Sequence, residues 1–220
     1  MDVFFPVLET CPLFDGIARE DLKGFLSCLG ARVMTMKKGQ TIFREGEPAG
    51  AIGIVVAGGV QLIREDYYGN RSVVGYGGVA QLFGEAYAFS TAATLPVSVV
   101  AQEDGTVVLL DGLRITTRCS NACGFHNQVI FNLLRLVSNK NLMLHQKIQV
   151  TSQRTTREKL MTYLLHQAKL QGSDSFTIPY DRQALADYLE VDRSGLSAEI
   201  SKLRKEGILE SEKNHFRICR

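Results

Sequence analysis

The sequence predicts an α+β protein: an N-terminal β-roll, a long central helix and a C-terminal winged helix-turn-helix. Three observations lead there. Residues 13–112 hold short apolar runs broken by glycine turns, residues 123–150 carry apolar side chains at heptad spacing, and residues 177–218 read as helix, turn, helix and hairpin. The expected division is a roll over 1–120, a dimerisation helix over 121–152 and a DNA-binding unit over 153–220.

The roll follows from its punctuation. Thr41–Arg44, Ala51–Ala57, Val60–Arg64, Ser72–Tyr76, Val97–Ala101 and Thr106–Leu110 are candidate strands. Between them lie Lys38-Gly39, Glu45-Gly46-Glu47-Pro48, Gly58-Gly59, Tyr68-Gly69-Asn70 and Asp104-Gly105, which are turn sequences. Short strands with frequent turns close into a barrel or roll. Before it, Asp15–Leu29 predicts a helix with Ile17, Leu22, Phe25, Leu26 and Leu29 apolar.

From Cys123 to Val150 there is no proline and no glycine beyond Gly124. Ile130, Leu134, Val137, Asn141, Leu144 and Ile148 step by 4, 3, 4, 3 and 4. That is a heptad seam, which predicts a homodimer, with Asn141 favouring one register at some cost in stability. The alternative is that the stripe packs on the chain's own roll. Thr155-Thr156-Arg157-Glu158 then reads as a capping box that starts a new helix, with Leu160, Tyr163, Leu164 and Ala168 inward, ending near Gly172.

Residues 177–218 carry the functional signal. Ala184, Leu185, Tyr188 and Leu189 are spaced for one helix face, Glu190-Val191-Asp192 is a short turn, and Asp192 can cap a second helix. On that helix Leu196, Ile200 and Leu203 must face inward, leaving Arg193, Ser194, Ser197, Ala198, Ser201 and Lys205 outside. Short and basic side chains let a helix approach a DNA groove. Ile208–Ile218 reads as two strands around a Lys213-Asn214 turn, a wing. A helical subdomain with a β-hairpin and no DNA role is the bland alternative. The expected partner is a double-stranded DNA operator, read through Arg193, Ser194, Ser197, Lys202 and Lys205. Arg193 is placed for a bidentate guanine contact or, alternatively, a phosphate clamp. Lys202, Arg204, Lys205 and Lys213 suit phosphates, or are solvated surface charge.

Composition is compatible and sets limits. The net charge is +2, and residues 154–220 hold it all, with twelve basic against ten acidic side chains. Binding must therefore rest on where charges stand rather than on bulk potential. No apolar run reaches the roughly 18 residues of a membrane span. The N-terminus lacks the basic region and cleavage site of a secretion signal. Five cysteines at irregular spacing fit a reducing compartment, so a cytoplasmic location is expected. There is no nucleophile elbow, no phosphate loop and no His-Glu-x-x-His, so an enzyme is not expected.

Four stretches carry a family resemblance. Lys38–Pro48 resembles the opening of a cyclic-nucleotide-binding roll, and Phe83-Gly84-Glu85-Ala86 the start of its phosphate-binding cassette. Thr155–Leu160 and Asp192–Ser197 resemble the helices of the accompanying DNA-binding domain. In this order they resemble the cyclic AMP receptor protein and fumarate-nitrate regulator (Crp/Fnr) superfamily of bacterial transcription factors. The resemblance implies a cyclic-nucleotide-binding-like sensor roll, a homodimer on a pseudo-palindromic operator, and contact with RNA polymerase.

The chain departs from that pattern where a nucleotide would sit. Gly84 and Glu85 match the cassette, but the family's phosphate-holding Arg-Ser pair is replaced by Leu95-Pro96. Neither supplies a cation, and proline lacks even its N–H. The effector is thus expected to be something other than cyclic AMP. Lys140, beside Asn141 on the central helix, is a candidate replacement cation for an anionic ligand, or a solvated lysine. Cys119, Cys123 and His126 share one face if the helix already includes them, which suits a metal such as zinc or iron, or a redox sensor. The alternative is two semi-buried cysteines and a histidine bonded to backbone. Only Cys11, with Cys28 farther in, stands near the N-terminus, so the family's N-terminal iron–sulfur cluster is not expected.

Overall fold

The computed structural model describes residues 2–69, 71–117 and 124–219. The chain forms two compact units, Met1–Ser138 and Asn139–Arg220.

In the first unit, helices α1 (Phe5–Thr10) and α2 (Arg19–Cys28) precede eight strands: β1 (Arg32–Met36), β2 (Thr41–Phe43), β3 (Ala51–Ala57), β4 (Val60–Glu65), β5 (Arg71–Gly77), β6 (Leu82–Phe83), β7 (Ser98–Ala101) and β8 (Gly105–Asp111). Short helices α3 (Glu85–Ala88) and α4 (Gly112–Thr116) interrupt and follow them. The strands form two four-stranded sheets, in the orders β1-β8-β3-β6 and β2-β7-β4-β5. All pairings between them are antiparallel.

Strands β3 and β8 are the centre of the roll and are covered on both faces. Ile52, Ile54 and Val56 alternate with Val55, and Val108 and Leu110 with Val107; the first set packs with α1 and α2, the second lines the roll interior. Period-two side-chain alternation between two buried faces is why these strands read as unbroken apolar runs. Gly53 stands where a Cβ would come within 1.9 Å of the Phe83 ring, so the side-chain-free position lets that ring fill the interior.

The six expected strands are all present. Strands β1 and β6 were not expected. Strand β1 exposes Arg32, Val33 and Thr35, so its pattern is mixed, and β6 is two residues long and has no periodicity to read. The helix expected from Asp15 begins at Arg19, because Gly16 turns the chain at φ +80. Ile17 is buried all the same, ahead of the helix.

Helix α5 (Phe125–Thr151) starts in the first unit and ends in the second. Its first half carries two apolar stripes. Val129 and Leu133, with Phe125 and Leu136 half-buried beside them, join the core of the first unit. Buried Asn132 pins the same face: its amide donates to the carbonyls of Leu13 and Asp15 at 3.0 and 2.8 Å and accepts from Gln128 at 3.1 Å. The other stripe is Ile130, Leu134, Val137, Leu144 and Ile148, between 39% and 63% exposed.

The second unit contains α6 (Thr156–Gln171), β9 (Ser175–Thr177), α7 (Arg182–Leu189), α8 (Arg193–Lys205), β10 (Leu209–Glu212) and β11 (His215–Ile218). The capping box at Thr155 and Glu158 is formed in both directions, and Gly172 ends α6 in the left-handed conformation. The residues expected inside α6 (Leu160, Tyr163, Leu164, Ala168) are the ones buried. On α7 the inward set is Leu185, Ala186 and Leu189, with Ala184 and Tyr188 only half-buried. The wing is three-stranded, β10-β11-β9, since β9 pairs with β11 as well. Lys213, at φ +52, makes its turn. No helix among the described residues is long and apolar enough to cross a membrane.

Candidate nucleic-acid interface

The interface is set by what α8 buries. Leu196, Ile200 and Leu203 are at most 3% exposed, in one core with Tyr163, Leu185, Leu189 and Phe216. Each fully buried aliphatic side chain contributes about 1.5–3 kcal/mol, so the helix cannot roll about its axis. That leaves Arg193, Ser194, Ala198, Ser201, Lys202, Arg204 and Lys205 exposed and Ser197 half-buried.

The start of α8 is anchored by Asp192. One carboxylate oxygen accepts from the backbone N–H groups of Ser194 and Gly195 at 2.9 and 3.0 Å, and from the Ser194 hydroxyl. The Ser194 hydroxyl bond, then that of the Gly195 amide, holds the Asp192 carboxyl below the usual aspartate range. Ser194 has thereby committed its hydrogen to the cap and can only accept from a nucleic acid. The other end is braced by Arg157 of α6, which donates to both carboxylate oxygens of Glu206 (3.1 and 2.6 Å) and lies 3.7 Å from Glu199. Opposite charges in a bidentate pair fix orientation as well as distance. Ser201, expected only to face outward, uses its hydroxyl on the Ser197 carbonyl (2.9 Å), while the expected contacts Lys205 and Arg204 line a cleft of about 500 Å³ with Ser201, Leu209 and Glu210.

Arg193 and Lys213 meet in a larger cleft of about 720 Å³, with Pro179, Asp181, Arg182, Gln183 and Asn214. Arg182 was not among the expected site residues. Its guanidinium lies 5.7 Å from the centre of the Phe216 ring and one nitrogen donates to the Lys213 carbonyl at 3.4 Å. The other terminal nitrogen is sealed from solvent without a hydrogen-bond partner, and burial lowers the pKa of the group. A partly desolvated cation beside two exposed ones attracts an anion strongly. The signal was legible as Asp181-Arg182-Gln183 at the start of α7, but its meaning depends on the wing folding back beside it.

Of the expected effector residues, Gly84, Glu85 and Leu95 belong to the first unit and Lys140 and Asn141 to the second. Gly84 is the left-handed N-cap of α3 (φ +83), and a Cβ there would meet the Ala51 carbonyl at 3.0 Å and the Phe43 ring at 3.1 Å. Glu85 is 6% exposed. Leu95 belongs to the buried apolar cluster of the roll interior with Phe43, Val55, Phe83, Val99 and Val107, while Pro96 is outside. The backbone of Leu95 is tied to Glu47 and Gly46 at 2.8 and 2.9 Å. Lys140 and Asn141 stand on the exposed part of α5 in the second unit.

Of the candidate metal or redox set, Cys119 and Cys123 lie outside the described residues. His126 is buried, with Nε2 at 3.1 Å from the Arg114 carbonyl and its ring edge-on to Phe25 at 5.1 Å. That contact occupies one of its two ring nitrogens.

An antiparallel roll and a capped, three-stranded winged helix-turn-helix in one chain define a DNA-binding class of protein. Residues 33–119 match the cyclic nucleotide-binding domain family and residues 158–220 the Crp-like helix-turn-helix domain family. With both domains in that order, the chain belongs to the Crp/Fnr family of transcriptional regulators and carries a DNA-binding helix-turn-helix. It is 22% identical over 188 residues to the transcriptional activator protein anr of Pseudomonas aeruginosa, covering 83% of this chain and 75% of that protein. The same identity and coverage relate it to FnrA of Stutzerimonas stutzeri, also a transcriptional activator. Two solved structures share the fold. DNR from Pseudomonas aeruginosa has a TM-score of 0.52 at 21% identity, covering 100% of this chain and 95% of that one. The c-di-GMP responsive regulator CLP of Xanthomonas campestris has a TM-score of 0.56 at 18% identity, covering 92% and 100%.

The Asp192 cap has a definite pH dependence. A depressed carboxyl pKa means that its contribution to folding is complete above the model-peptide value of 3.8 and is lost as pH falls through the lower folded value. In an NMR titration, the Ser194 and Gly195 amides should shift together at a pH below 3.8, and Asp192→Asn should abolish that step while keeping α8 intact. A step at or above 3.8 would show that the cap is not formed in solution.

Proposed function

We propose that this regulator acts as a cytoplasmic homodimer without enzymatic activity, binding a two-fold operator with one α8 in each of two successive major grooves and touching RNA polymerase when bound. The observation that carries the DNA-reading geometry is the outer face of α8, where Arg193 opens the helix inside a cleft shared with Arg182 and Lys213. Arg193 reads a guanine edge; Ser197, Lys202, Lys205 and the wing Lys213 hold the backbone, and Ser194 accepts. Genomic fragments bound by the purified protein would define the operator. Arg193→Ala should then weaken the best site by about 1–3 kcal/mol and relax one base position, while Lys213→Ala should weaken all sequences alike and reduce the salt slope by about one. Uniform weakening by both variants would make Arg193 a phosphate clamp instead.

The exposed stripe of α5 supports the dimer. A helix left with Ile130, Leu134, Val137, Leu144 and Ile148 in water has a face that a second copy would cover, with Asn141 paired at its middle. Leu134→Glu with Leu144→Glu should convert the protein to a monomer in sedimentation equilibrium and remove operator binding. A double variant that remains dimeric would place the contact elsewhere.

The effector is read as something other than cyclic AMP. Leu95 puts an aliphatic side chain, buried among other apolar ones, where the cyclic phosphate would need a cation. Leaving a buried charge unpaired costs about 3–5 kcal/mol. Calorimetric titration with cyclic AMP should show no binding in the micromolar range; a micromolar dissociation constant would overturn this reading. Lys140 and Asn141 remain candidates for holding an anionic effector in place of the missing arginine.

A further inference from the structure

The turn between α7 and α8 is held from outside the helix-turn-helix. Glu190, the C-cap of α7, occupies the left-handed region at φ +54, where a side chain is strained and glycine is the usual residue. Lys147, near the end of α5, donates to the Tyr188 carbonyl, lies 3.3 Å from the Glu190 carboxylate, and sits 4.6 Å from the centre of the Tyr188 ring. Lys159 of α6 donates to the Glu190 carbonyl at 3.3 Å. The last carbonyls of a helix have no partners within it, and the negative end of its dipole favours cations. Two other helices therefore supply what α7 lacks. The Tyr188 ring is itself fixed, stacked on Tyr180 at 5.1 Å and set against Tyr163 at 5.2 Å. Two residues beyond Glu190, Asp192 caps α8, and Arg193 begins it.

We propose that Lys147 is a positioning residue for DNA reading: by clamping the α7–α8 turn from the long helix, it sets the direction in which α8 presents Arg193. Its place on α5 makes it a point where a change in that helix is felt by the reading head. The proposal rests on the DNA-reading geometry above. It also explains how glutamate is accepted at position 190: the two lysines offset the strain that glycine would avoid.

The test compares the wild type with Lys147→Met, Glu190→Gly and the double variant, using the full chain. Two quantities are measured: preference for the operator over random duplex, and amide hydrogen exchange. Lys147→Met should lose about tenfold of that preference, the loss expected for a charge-assisted hydrogen bond. Exchange should quicken at residues 190–195 while 160–168 keep their protection. Adding Glu190→Gly should restore the preference, because glycine holds the left-handed turn unaided. An unchanged preference in Lys147→Met would overturn the proposal. So would exchange that quickens equally through 156–218 without rescue by Glu190→Gly, which is the signature of general loosening. If the wild type prefers no sequence, the DNA-reading geometry fails. Exchange at 190–195 then decides the clamp alone, and unchanged protection in Lys147→Met removes it.

Discussion

The burial of one stripe of α8 is the constraint on which the reading head depends. Leu196, Ile200 and Leu203 are enclosed with Tyr163, Leu185 and Phe216, so the helix has a single rotational setting. Once that face is inside, Arg193, Ser194, Ala198, Ser201, Lys202, Arg204 and Lys205 are left exposed, all of them short or basic, while Ser197 and Glu199 are half-buried. The Asp192 cap and the Arg157–Glu206 pair then act at the two ends of a helix already oriented by its core. The polar contacts refine a direction that hydrophobic burial has chosen.

Helix α5 applies the same reasoning with a different outcome. Val129 and Leu133 pack within the first unit, and Asn132 adds two hydrogen bonds to the Leu13–Asp15 segment. Satisfying a buried amide this completely fixes register as well as proximity. The neighbouring stripe, including Leu134, Leu144 and Ile148, remains in water within one chain. The helix thus has two apolar faces, and the first unit's core covers one of them.

In the roll, the Gly84–Glu85 turn is held by close packing. Gly84 turns with positive φ against Ala51 and Phe43, a close approach that a side chain would prevent, and Glu85 follows it into the interior. Ten residues on, Leu95 completes an apolar cluster rather than offering a cation. The turn is thus enforced by backbone sterics, while the interior beside it is closed by apolar packing.

Much of this was determined by sequence alone. The six strands bounded by turn residues, the capping box at Thr155, the inward sets of α6 and α8, the Asp192 cap and the Lys213 turn all rest on local rules: periodicity, caps and turn chemistry. Strands β1 and β6 escaped because one is mixed in polarity and the other too short to show a period. Only the tertiary structure decided that α5 carries two apolar stripes, that Arg182 joins Arg193 and Lys213 in one cleft, and that Lys147 reaches the α7–α8 turn. Those pairs are 11 to 43 residues apart in the chain or divide one helix between two surroundings. No local pattern encodes such contacts; they arise when elements formed separately are forced together to remove apolar surface from water.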